Sequence, residues 1–147
     1  MDSIKNLFGI QSSGHEKIHL HDKDLGEFTG LSNDGNRITW KGTRDFAGTV
    51  ISLFIHGSAS QLDTTEKKLV ATALQDPAIF EKEIARSLAE HFNSKDSFLH
   101  GYAERFRLLS INSNRDSIHF ILEDKDNFQQ FDIAFRGQKA VAVYVDE

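Results

Sequence analysis

Residues Asp63–Asn93 form the one long stretch of this 147-residue chain whose apolar residues recur at helical spacing, and the chain on either side alternates with period two. That order constrains the fold strongly, because a helical segment lying between two strand-rich halves has to bury its apolar stripe against the sheet they build. Asp63 is followed by Thr64, Thr65 and Glu66, an N-cap carboxylate with a glutamate three residues on, suited to satisfying the amides that a helix start leaves unpaired. Leu69, Val70, Ala73 and Leu74, then Ile79, Phe80, Ile84, Leu88 and Phe92, mark the core-facing stripe. Between the two sets stands Asp76-Pro77, with the chain's one proline. Proline cannot donate the intrahelical bond yet suits a first helical position, so the segment reads as two helices or one sharply kinked helix, with Asp76 capping the second. The polar run Asn93–Asp96 ends it.

Before this segment three strands are expected: Leu25–Leu31, Arg37–Lys41 and residues 48–56. Asn33-Asp34-Gly35-Asn36 joins the first two as a hairpin, since Asn and Gly tolerate positive φ. The third is apolar on both faces and belongs at the centre of a sheet. After the helices come Glu104–Ile111, Ser117–Glu123, Phe128–Phe135 and Lys139–Val145, separated by short polar turns that imply an antiparallel meander. Phe131, Ile133 and Phe135 share a face, as do Val141, Val143 and Val145, opposite Ala140, Ala142 and Tyr144. The expected fold is therefore a single α+β domain over residues 1–147 with about seven mainly antiparallel strands. Residues 1–14, with Ile4, Leu7 and Phe8 ahead of a Ser/Gly connector, read as a short helix that either plugs an edge of the core or forms a loose tail. The sheet face turned away from the helices carries Leu109, Ile111 and Ile121 or their opposites, so it is covered by that short helix or free for a partner.

Composition narrows the function. The chain has no cysteine, which removes disulfides, thiolate metal sites and cysteine nucleophiles. It has no apolar run of about 18 residues and no apolar signal core at its start, so a cytoplasmic protein without membrane contact is expected. The net charge of -5 is spread without any basic patch, which disfavours nucleic acid and is compatible with a basic protein partner.

Nothing in the sequence matches a phosphate-binding loop, a dinucleotide fingerprint, a nucleophile elbow or a zinc-binding His-Glu-x-x-His pair. His15, His19 and His21 alternate with Ile18 and Leu20 and read as strand or loop, not as a metal site, and no cofactor is expected. His56, His91 beside Glu90, and His100 are chemically able to move protons, but none has a partner at defined spacing. Glu123, Asp124 and Asp126 cluster in a turn that lacks the spacing of a calcium loop and reads as a solvated turn or a partner-facing acidic patch.

Ile4-Lys5-Asn6-Leu7-Phe8-Gly9, Asp24–Phe28, Trp40-Lys41-Gly42, the apolar strand at 49–55 and the helix opening at Thr64-Thr65-Glu66 together resemble a family of small bacterial immunity-like domains. The resemblance spans about two-thirds of the chain and carries no catalytic residues with it. It implies a non-enzymatic protein that neutralises a cognate toxin by occluding it, with Asp45, Asp124 and Asp126 as the candidate contacts. Two other readings stand beside it: a small-ligand module or hydrolase with a pocket between sheet and helices using His56 or His100, and a homodimer joined through the sheet.

Overall fold

A computed structural model of the chain describes residues 18–92 and 104–146. The expected helix at 1–14, His15, His100 and the polar helix end at 93–96 lie outside the described residues. Four strands, β1 (His19–Asp22), β2 (Gly26–Asp34), β3 (Arg37–Phe46) and β4 (Thr49–Gly57), precede two helices, α1 (Thr64–Gln75) and α2 (Pro77–His91). Four more follow: β5 (Phe106–Asn114), β6 (Ser117–Asp124), β7 (Gln130–Arg136) and β8 (Lys139–Asp146).

All eight strands lie in one sheet in simple chain order, β1 to β8. Every neighbouring pair is antiparallel except β4 and β5, which run parallel where Ser52–Phe54 face Ser110–Asn112. A chain that leaves the end of β4, crosses the sheet as helices and re-enters at its starting end can only return parallel. The α+β, mainly antiparallel fold is as expected, with one strand more. The extra strand, β1, holds Leu20 as its one apolar residue between His19 and His21, so alternation there gives little signal. It is tied down by its turn: Asp22 accepts the backbone N–H groups of Asp24 and Leu25, and Lys67 of α1 reaches both Asp22 at 3.0 Å and Asp24 at 2.7 Å.

The helix boundaries follow the local chemistry. Asp63 caps α1, its Oδ1 accepting from Glu66 N at 3.0 Å. The Glu66 side chain does not reach back to complete the capping box, because Asp63 N donates instead to His56 O at 2.7 Å. Pro77 opens α2 as expected, but Asp76 makes no side-chain hydrogen bond to the helix; the proline's fixed φ supplies the entry. Val70, Ala73, Phe80, Ile84 and Leu88 are buried, whereas Ile79 faces solvent.

One sheet face and the two helices enclose the core. Phe80 of α2 sits over Phe120 and Phe135, ring centroids 5.6 and 5.3 Å away, and Trp40 is fully buried with its Nε1 donating to Ser58 O at 3.0 Å. Truncating a core phenylalanine such as Phe80 to alanine costs about 3–5 kcal/mol in well-packed interiors. Gly42 lets the Phe28 ring lie against the β3 backbone, since a Cβ there would meet it at 2.8 Å.

Two bulges revise the expected facing of residues. Leu109 is the extra residue in β5 between Leu108 and Ser110, which leaves Ile111 fully buried under the helices and Ile121 half-buried on the far face. In β8, Val141 is extra between Ala140 and Ala142. Ala140 therefore joins Val143 and Val145 against the core, and Val141 is 57 % exposed, no longer sharing their face. No helix among the described residues is long and apolar enough to cross a membrane.

Candidate functional site

Because β4 and β5 start at the same end of the sheet and Phe106 faces Asp124, the β3–β4 and β6–β7 turns emerge together. At strand spacings of about 4.8 Å, three intervals separate the two hairpins by roughly 14 Å. In the first turn Asp45 Oδ1 accepts from Gly48 N at 3.0 Å, with Ala47 and Gly48 at φ 53° and 89°, and Val50 just beyond is 72 % exposed.

The second turn is organised by Asp124, whose side chain is fully buried. It accepts Nε and Nη2 of Arg105 at 3.1 and 2.9 Å and the N–H of Asp126 at 2.9 Å. Burial alone would push its carboxyl pKa up; the Arg105 and Asp126 hydrogen bonds outweigh that and hold it below the ordinary 3.8. Arg105 is itself held over Phe92 and Phe106, 4.9 and 5.2 Å from the ring centroids. Backbone bonds from Phe128 N to Asp124 O and from Asp124 N to Gln129 O close the loop. The product is a fixed platform that holds Phe128 at φ 62°, a conformation costing about 1–2 kcal/mol for a residue with a Cβ, and leaves its ring 70 % exposed beside exposed Asp126.

Between the two turns lies a cavity of about 420 Å³ lined by Phe46, Ala47, Thr49, Glu81, Ile84, Phe106, Arg107, Leu108, Leu122 and Lys125. Its floor is apolar and its rim charged. The structure thus brings Asp45 and Asp126 to one end of the sheet as exposed carboxylates. Asp124 is the exception among the three candidate contacts: it is buried beneath the surface it shapes, because a carboxylate that satisfies both a guanidinium and a turn amide faces inward. By its alternation Phe128 reads in the sequence as the first residue of a strand; its place after Asp124-Lys125-Asp126-Asn127 is the signal for a turn tip.

A second buried carboxylate sits at the opposite end. Glu66, fully buried in the first turn of α1, accepts His56 N at 3.0 Å, His56 Nδ1 at 2.9 Å and Ser113 Oγ at 2.6 Å on Oε1. Its Oε2 accepts Arg37 Nη2 at 2.6 Å and Arg115 N at 2.9 Å. Burial would raise its pKa, but the Ser113 hydroxyl, the His56 and Arg115 amides and the His56 ring together hold it below the ordinary 4.5. Glu66 fills the gap where β4 and β5 part beyond Phe54. His56, sequence-flagged for proton chemistry, is oriented by this carboxylate and lines a cavity of about 370 Å³ with Asn36, Arg37, Ser58 and Thr64. Through these bonds the pairing joins α1 to β4.

On the far sheet face, Ser117 Oγ lies 3.4 Å from His119 Nε2, and His119 Nδ1 lies 2.7 Å from Asp132 Oδ1. The connectivity is that of a hydrolase triad, but the Ser117 hydroxyl donates to Asn114 O at 3.1 Å, and the neighbouring amides belong to the β ladder instead of an oxyanion hole. His21 pairs with Glu27, and His91 packs edge-on against Phe92 and Phe131. Among the described residues no three His, Cys, Asp or Glu side chains converge to hold a metal. No family model, curated protein or solved structure matches the chain.

Proposed function

We propose that this chain is a non-enzymatic protein-binding domain that engages a basic partner through the end of the sheet where Asp45, Val50, Asp126 and Phe128 project. The observation that carries the reading is Phe128: a buried carboxylate network holds an aromatic side chain in a costly backbone conformation and presents it to solvent, two residues after the exposed acid Asp126. The net charge of -5 favours approach of a basic surface. The resemblance of the chain's first two-thirds to immunity-like domains makes a cognate toxin the partner of choice, blocked by occlusion of its active site. The test is co-expression with the product of the adjacent gene: a complex and protection from its toxicity are expected, and Phe128→Ala should weaken binding by about 2 kcal/mol or more while leaving circular dichroism unchanged. Absence of both complex and protection sinks the proposal.

The 420 Å³ cavity between α2 and the sheet supports a second reading, a small-ligand module for an apolar molecule with a charged group. A compound that raises the melting temperature of the protein, and no longer does so once Leu122→Trp fills the floor, would favour it.

A further inference from the structure

The two edges of the sheet are unlike each other. β1 is four residues long and polar, whereas β8 runs over eight, Lys-Ala-Val-Ala-Val-Tyr-Val-Asp, with Val141 and Tyr144 each 57 % exposed. Among the described residues no strand pairs with the outer side of β8. Long apolar edges of this kind recruit another strand. Glu83 accepts Ala140 N at 2.9 Å, a bond that a strand reaching Ala140 must displace, whereas the stretch from Val141 to Asp146 is open. A groove of about 270 Å³, lined by Arg86, Glu90 and His91 of α2 and by Ala140–Val143, runs beside it.

We propose that β8 pairs antiparallel with β8 of a second copy of this chain, about a two-fold axis at Val143, joining the two sheets into one. The argument is self-complementarity. With the axis perpendicular to the sheet, opposed residues must lie on the same face. Lys139, Ala142, Tyr144 and Asp146 occupy the far face, and Ala140, Val143 and Val145 the helix face. With Val143 opposite itself, Ala142 meets Tyr144 of the second copy. Beyond the bulge, Ala140 meets Val145 and Lys139 meets Asp146 of opposite charge. Every pair then shares a face, as antiparallel pairing about such an axis requires, and the Val141 bulge sets Lys139 rather than Ala140 opposite Asp146.

Such an interface is small, so the dimer should be concentration-dependent. Light scattering should show a mass rising from 16.6 kDa toward twice that as the protein is concentrated. The exposed-charge variant Asp146→Lys should weaken association by about tenfold and Lys139→Glu combined with it should restore it, neither altering the fold. Because the chain has no cysteine, Val143→Cys gives one unambiguous probe: oxidation should link two copies through it, since opposed strand positions fall within the Cα separation a disulfide needs. The proposal is overturned by a 16.6 kDa mass at every concentration with no cross-linking of Val143→Cys, or by a dimer indifferent to the charge reversal. Partner binding at the Phe128 end is measured separately and can succeed or fail independently of this result.

Discussion

Glu66 and Asp124 are both carboxylates with no solvent exposure, and they are wired into the molecule in different ways. Glu66 collects donors from β3, β4, β5 and the β5–β6 turn, residues 10 to 49 positions away in sequence. Asp124 serves a guanidinium 19 residues away and an amide two residues on. The first holds distant parts of the fold to each other; the second shapes one loop. A buried charge is therefore not by itself a sign of a functional centre, and what its donors belong to decides what it is for.

That contrast can be broken by mutation. Glu66→Ala leaves five donor groups without their acceptor and should cost about 3–5 kcal/mol, read as a lowered urea midpoint. Asp124→Ala should cost less, about 1.5–3 kcal/mol, and should abolish partner binding in a protein that remains folded. If the two substitutions cost the same, or if Asp124→Ala spares binding, the two carboxylates do not divide these roles.

Acid should expose the same difference. The folded pKa values of Glu66 and Asp124 are both depressed, so each contributes stability that is present above its unfolded value, 4.5 or 3.8, and is lost as pH falls through the lower folded value. Stability measured by urea titration should fall steadily below about pH 4.5, and Glu66→Gln should flatten that dependence more than Asp124→Asn does. The smallest effect is expected on the far face, where His119→Gln disturbs a half-exposed pair with Asp132 and should change stability by less than about 1 kcal/mol. Loss of an esterase activity in that variant would reopen the triad reading.

Much of this architecture is legible in the residues. Asp63 caps and Pro77 starts helices through chemistry confined to four positions, and the hairpins are spelled by their turns. The bulges at Leu109 and Val141 are not, because one extra residue leaves the hydrophobic alternation intact on both sides while shifting its phase. Glu66 fits a capping box so well that its role between strands is hidden, and its partners Ser113 and Arg115 lie beyond any local window. Asp124 and Asp126 look alike in sequence; only the arrival of Arg105 from the neighbouring strand separates the buried one from the exposed one.

The strictly sequential strand order carries a consequence for how the molecule forms. Each half, β1–β4 and β5–β8, is a meander whose pairings are all local and should assemble quickly, but the halves join along only three parallel residue pairs, Ser52–Phe54 against Ser110–Asn112. Closing that short seam requires the whole helical excursion to be in place first. Among the described strands it is the one non-local pairing of neighbours, and the step expected to form last.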